Sequence, residues 1–194
     1  MPPTLAANDM TSPTLCTIIA KNFLPYARCL TDSFLTHHPE GRVFLLLIDE
    51  IEGCFDPAQE RFTLIQARDL HIPDFEQMTF RYTILELSTA LRPFFFAYLF
   101  ETHPIQTLVY LDADICLYHS LTKLQEVLQT AQIVLTPHLI APIPGDGRLP
   151  SDLSMLGVGA YNMGFIALAR GEETARFLRW WQRHLLKEDR KSVV

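Results

Sequence analysis

In the stretch 107-TLVYLDADICLY-118, Asp112 and Asp114 stand one residue apart directly after an apolar run. Side chains alternate faces along a strand, so residues i and i+2 project to the same side. The two carboxylates therefore converge if extended backbone persists through Ala113. Two bare carboxylates held together repel each other and raise the pKa of one, unless a cation lies between them. A hard divalent ion such as Mg²⁺ or Mn²⁺ relieves that repulsion and usually completes its shell with waters and substrate phosphates. The chemistry that follows is a metal–diphosphate site. The plainer alternative is a solvated strand end with one Asp capping the following turn.

Other residues with reactive or binding chemistry carry weaker signals. His138 follows an apolar run and Pro137, where acceptor groups meet such sites, and it equally suits an ordinary loop. His37 and His38 sit at an expected helix end, where the cationic form is favoured, and need no ligand role. Trp180 and Trp181 lie at core spacing on an amphipathic stretch; sugar stacking is open to them, but burial is the expectation. Cys16, Cys29, Cys54 and Cys116 form no Cys-x-x-Cys pair. The expectation is reduced thiols in a cytoplasmic protein, with no metal–thiolate site.

The carboxylates need elements to hold them. Strands are expected at 15-LCTIIA-20, 43-VFLLLI-48, 107-TLVYL-111, 132-QIVLT-136 and 161-YNMGFIALA-169, with a weaker one at 62-FTLIQA-67. The run 43–48 is apolar throughout, as in a parallel sheet covered on both faces. Pro25 can open a helix in which Ala27, Leu30, Phe34 and Leu35 recur at helical spacing through 38. Residues 81–100 predict another, with Leu85, Ser88, Leu91, Phe95 and Leu99 on one side and Pro93 as a kink point. A short helix fits 121–130, and Phe177, Trp180, Trp181, His184 and Leu185 form one face of a closing helix. The Pro- and Gly-rich residues 137–159 predict a loop long enough to suspect function. This alternation predicts an α/β fold with a mostly parallel central sheet flanked by helices. In such sheets ligands bind beyond the carboxyl ends of the strands, where Asp112 and Asp114 fall.

The chain has 194 residues, 48% hydrophobic and 20% charged, which suits one globular domain over 14–194 behind a flexible lead-in at 1–13. A net charge of −6 argues against broad attraction to nucleic acid or anionic lipid, and leaves any anionic substrate dependent on a local cation. The opening 14 residues lack the basic and apolar regions of a secretory signal. No apolar run reaches the roughly 18 residues of a membrane span, although peripheral membrane contact stays open.

Four segments in order, 16-CTIIAKNFLPYARCLTDSF-34, 86-ELSTALRPFFFAYL-99, 110-YLDADICLY-118 and 161-YNMGFIAL-168, resemble a nucleotide-sugar glycosyltransferase of the GT-A fold, family 8-like. The resemblance implies a hexosyltransferase-like enzyme. It would take a nucleoside-diphosphate sugar, UDP-sugar favoured, with Mn²⁺ or Mg²⁺, and a carbohydrate, lipid-linked or protein acceptor. It implies that Ala20, Lys21 and Asn22 line the base and ribose pocket, and that Arg92 approaches the diphosphate. Asp112 would contact the ribose or a metal-bound water, and Asp114 the metal itself, with Ala113 between them against the nucleotide. Asn162 and Gly164 would face the sugar, Gly164 because its missing side chain leaves room. The implied stereochemistry leans towards retention. Each position also has a plain structural reading: a polar turn at Lys21 and Asn22 with Asn22 capping, a surface Arg92 before Pro93, a simple turn at Asn162. The family's third metal ligand, a histidine in a C-terminal segment, has no counterpart before Val194, so the domain is expected to lack that segment.

Two rival readings stand beside this one. A truncated domain of this kind would bind a nucleotide sugar without turnover. Haloacid dehalogenase-like phosphatases also place Asp-x-Asp after an apolar strand, the first Asp as nucleophile and the second as acid. There, a Thr or Val normally follows two residues after the second Asp, where this sequence has Cys116.

Overall fold

The computed structural model describes residues 13–146 and 148–187, so nearly all of the expected lead-in lies outside the described residues. Six strands form one sheet: β1 Thr14–Ile19, β2 Arg42–Leu47, β3 Thr63–Gln66, β4 Thr107–Leu111, β5 Ile133–Pro137 and β6 Tyr161–Ala169. Their order is β3-β2-β1-β4-β6-β5. The pairs β1–β2, β2–β3 and β1–β4 are parallel, whereas β6 runs antiparallel to both β4 and β5. The chain first winds outward from β1 to β3 and then restarts on the other side with β4. That reversal between β1 and β4 is the switch point at which open α/β sheets hold their ligands.

The helices are α1 Leu24–His37, α2 Phe75–Arg81, α3 Ile84–Thr102, α4 Thr122–Val127, α5 Asp152–Val158 and α6 Glu172–Lys187. Alternating strand residues feed two apolar layers. On one face Cys16, Ile18, Phe44 and Leu46 meet Leu91, Phe95, Phe96 and Leu99 of α3 and Leu178, Trp181 and Leu185 of α6. On the other face Leu15, Leu45 and Val109 meet Leu24, Ala27, Leu30 and Phe34 of α1. Each fully buried Leu or Phe contributes about 1.5–3 kcal/mol.

Several expectations need correction. The helix foreseen at 81–100 starts three residues later, as α3, behind the separate short α2 that ends at Arg81. Tyr82 and Thr83 separate them, and Thr83 and Glu86 exchange hydrogen bonds as a capping box that starts α3. Leu85 is 79% exposed, and Leu87 is buried instead. Part of the long loop is ordered, because the Ser151 hydroxyl caps α5. Of the two tryptophans, Trp181 is buried and Trp180 is 49% exposed, lying against Phe177. Consecutive residues on a helix lie about 100° apart, so one core face cannot take both.

Polar contacts lock the ends of α3 and α6. Arg170 donates to the carbonyl oxygens of Phe100 and His103, closing the C-terminus of α3. The Gln132 side-chain oxygen accepts from the backbone N–H groups of Glu173 and Thr174, capping α6 from outside the helix. The Gln182 amide donates to the Pro93 carbonyl oxygen at 3.0 Å, tying the two helices together.

Candidate active site

Because β6 is antiparallel to β4, the start of β6 lies at the same sheet edge as the end of β4. This places Asn162, Met163 and Gly164 beside Asp112, whose N–H donates to the Gly164 carbonyl oxygen at 3.0 Å. Asp112 is the last residue held by this pairing. Strand β4 stops at Leu111, and the Ile115 N–H donates to the Asp112 carbonyl oxygen at 3.1 Å, which turns the chain at Ala113 and Asp114. Extended backbone therefore does not persist through Ala113, the condition on which simple alternation would align the two carboxylates. Asp114 instead sits exposed in the turn, with no partner among the described residues. Ala113 is buried under the turn, in the layer that includes Leu111 and Leu117.

Alternation does hold between Tyr110 and Asp112. The buried Tyr110 hydroxyl donates to Asp112 Oδ1 at 2.6 Å. Burial pushes the Tyr110 phenol well above its ordinary pKa, against a smaller opposing pull from Arg92, so it stays a donor. Arg92 reaches the same oxygen from α3. Its Nη2 donates to Asp112 Oδ1 at 3.0 Å and its Nη1 to the Met163 carbonyl oxygen at 2.5 Å. Its guanidinium carbon lies 4.5 Å from the centre of the Tyr110 ring. The Arg92 side chain is 7% exposed and that of Asp112 is 40% exposed. Arg92 is thus not a surface residue; it bridges the end of β4 and the start of β6.

The Met163 carbonyl is available because the β5–β6 ladder is irregular. Leu135 pairs with Ile166, but the next residue, Thr136, pairs with Asn162, so residues 163–165 are passed over by β5. Such bulges favour functional edges because they re-aim groups out of the ladder. Gly164 has an ordinary backbone conformation, and what requires glycine is space. A Cβ there would lie 2.9 Å from Asp112 Oδ2 and 3.0 Å from Asn162 Oδ1. Asn162 is exposed, and its side-chain oxygen accepts from the Gly164 N–H at 2.8 Å.

Residues 20–22 follow β1, the strand beside β4, and end at the same edge. The Lys21 N–H donates to Asp49 Oδ2 at 2.7 Å, and its ammonium pairs with Glu52, both just after β2. That hydrogen bond to Glu52, more than the accompanying charge attraction, raises the Lys21 pKa. Ala20 is half-buried and Asn22 exposed. Asn22 caps no helix, since Ala20 and Phe23 occupy the cap positions. Nearby, Phe23 and Tyr26 present exposed rings 5.5 Å apart.

His138 is held by the Gly159 carbonyl oxygen at 2.8 Å, within the loop before β6. A wide groove of about 920 Å³ runs along α6, past Phe177, Trp180 and Arg183, and shares no residue with this edge. No cluster of three His, Cys, Asp or Glu able to hold a metal occurs among the described residues. The donor set at the edge of β4 is two hard carboxylates: Asp114 unpartnered, and Asp112 with Oδ1 engaged and Oδ2 facing the gap over Gly164. By donor chemistry alone, two hard carboxylates suit a divalent ion that takes its remaining oxygens from water and substrate. Reasoning from sequence missed Tyr110 and the Met163 carbonyl. The first carries a readable signal, standing two residues before Asp112 on the same strand face.

No family model and no curated protein matches the chain. Solved structures do. The galactosyltransferase LgtC, in complex with donor and acceptor sugar analogs, aligns with a TM-score of 0.56 at 16% identity, over 90% of this chain and 61% of LgtC. The glycosyltransferase GlyE of Streptococcus pneumoniae TIGR4 aligns at 0.55 and 16% identity, over 95% of this chain and 41% of GlyE. The bifunctional glycosyltransferase WbbM aligns at 0.53 and 13% identity, over 94% of this chain and 35% of WbbM. The chain therefore spans less than two thirds of each of these proteins. No helix among its described residues is long and apolar enough to cross a membrane. With its six-stranded mixed sheet between helical layers, the chain has the GT-A glycosyltransferase fold.

Proposed function

We propose that this protein transfers a sugar from a nucleoside-diphosphate sugar, UDP-sugar favoured, to a carbohydrate, lipid-linked or protein acceptor. The observation that carries the proposal is the pair of carboxylates at the β1/β4 switch point. Asp112 is oriented from behind and borders a glycine whose Cβ would crowd its Oδ2, and Asp114 has no partner among the described residues. Asp112 Oδ2 and Asp114 would hold Mn²⁺ or Mg²⁺, which when bound would offset the charge that grows on the leaving diphosphate. Asn162 would meet the sugar beside the Gly164 gap. Residues 20–22 at the end of β1 would face the nucleoside, with Lys21 kept in place by Asp49 and Glu52. The fold gives the phosphatase alternative no support, since the solved structures it resembles are glycosyltransferases.

A donor screen by mass spectrometry tests this directly. Mn²⁺ with UDP- or GDP-sugars should raise the melting temperature, and labelled sugar should appear on an acceptor. Donor binding with neither transfer nor hydrolysis would favour a binding domain. Turnover of p-nitrophenyl phosphate would favour the phosphatase chemistry.

A further inference from the structure

We infer that Arg92 and Tyr110 are positioning residues, which grip Asp112 through Oδ1 and leave Oδ2 as its single ligand-facing oxygen. The inference rests on the metal–diphosphate site proposed above. Three observations converge on it. Oδ1 accepts from two donors, the Tyr110 hydroxyl at 2.6 Å and Arg92 Nη2 at 3.0 Å, both from the buried side. Oδ2 borders Gly164, where a Cβ would sit 2.9 Å from it. Arg92 is itself fixed, by the Met163 carbonyl that the β6 bulge releases and by the face of the Tyr110 ring.

A guanidinium suits this task because its planar fork reaches two acceptors at once, the end of β4 and the start of β6. A lysine ammonium at position 92 has no such fork, so it keeps the charge and loses the bridge. Arg92 Nε is buried and has no partner among the described residues, consistent with a group placed for its two terminal nitrogens. Groups that orient a metal ligand from behind commonly change metal affinity by about 10–100-fold when removed.

The test is titration of Mn²⁺ alone, followed by the paramagnetic signal of the free ion, and of UDP without metal. It compares wild type with Tyr110→Phe, Arg92→Lys and Asp112→Asn, each checked by circular dichroism and melting. Tyr110→Phe deletes one buried oxygen and cannot touch a diphosphate, so it reads positioning alone. The expected result is loss of Mn²⁺ binding in Asp112→Asn, and about tenfold weaker binding in Tyr110→Phe and Arg92→Lys at retained fold. If Asp112→Asn loses the ion while both other variants bind it as wild type does, the inference is overturned and the site stands. It is equally overturned if Arg92→Lys weakens metal-free UDP and not Mn²⁺, because Arg92 is then a diphosphate ligand. If Asp112→Asn binds Mn²⁺ normally, the site proposal itself fails and the inference falls with it.

Discussion

Gly164→Ala probes the gap beside Asp112 with the smallest possible obstruction. The new Cβ would lie 2.9 Å from Asp112 Oδ2 and 3.0 Å from Asn162 Oδ1, both inside the 3.4 Å at which ordinary contact begins. Neither side chain yields freely. Asp112 is held by Tyr110 and Arg92, and Asn162 by the N–H of residue 164 itself. Overpacking of this kind costs about 1–3 kcal/mol. Reduced freedom of the unfolded chain returns about 0.4–1 kcal/mol, because the backbone there is ordinary. A net loss of about 1–2 kcal/mol is expected, or roughly 3–6 °C in melting temperature for a chain of this size. Urea unfolding measures the stability, and Mn²⁺ titration the function, which should weaken about tenfold as Asp112 is displaced. Combining Gly164→Ala with Tyr110→Phe should cost less than the sum of the two, by about 0.5–1 kcal/mol, because a loosened Asp112 can move aside. Gly164→Ala matching wild type in both stability and Mn²⁺ affinity would refute this reasoning.

Three further outcomes follow from the fold. His38 is buried and its Nε2 accepts from the Leu121 N–H at 2.9 Å; burial first, then neighbouring His37, lowers its pKa below the ordinary imidazole value. The folded state therefore binds that proton less well than the unfolded state, so this contribution is complete above about pH 6.5 and is lost as pH falls below it. Denaturant unfolding at about pH 7.5 and about pH 5.5 should show a smaller loss in His38→Gln than in wild type. Trp181→Ala should cost about 3–5 kcal/mol by opening the layer under α3, whereas the half-exposed Trp180→Ala should cost under about 1 kcal/mol. Gln132→Ala removes the acceptor for two N–H groups of α6 and should cost about 0.5–2 kcal/mol, read by urea unfolding.

The strands were largely legible, and the reason is visible in β4 and β6. Residues 107–111 and 161–169 are largely apolar runs closed by Asp112 and Arg170, and they form strands over those bounds. The grip of Tyr110 on Asp112 was also within reach, since strand alternation alone places them on one face. The boundary between α2 and α3 was written as Thr83-x-x-Glu86, a capping box passed over because the apolar spacing around it looked continuous. Leu85 misled because α3 is buried on several sides, through Leu87, Leu91, Phe94 and Phe96, so its apolar period is faint. Nothing local connects Arg92 to Asp112, or releases the Met163 carbonyl. Both depend on β6 returning antiparallel beside β4 with a bulge against β5, which is a property of the assembled sheet.

The most direct measurement of the central claim is calorimetric titration of UDP in the presence and absence of Mn²⁺, on wild type and on Asp114→Ala. The account predicts that wild type binds UDP markedly tighter with Mn²⁺. It predicts that Asp114→Ala, whose side chain makes no hydrogen bond or ion pair with another described residue, keeps its melting temperature and loses that gain. Mn²⁺-dependent UDP binding that survives unchanged in Asp114→Ala would contradict it.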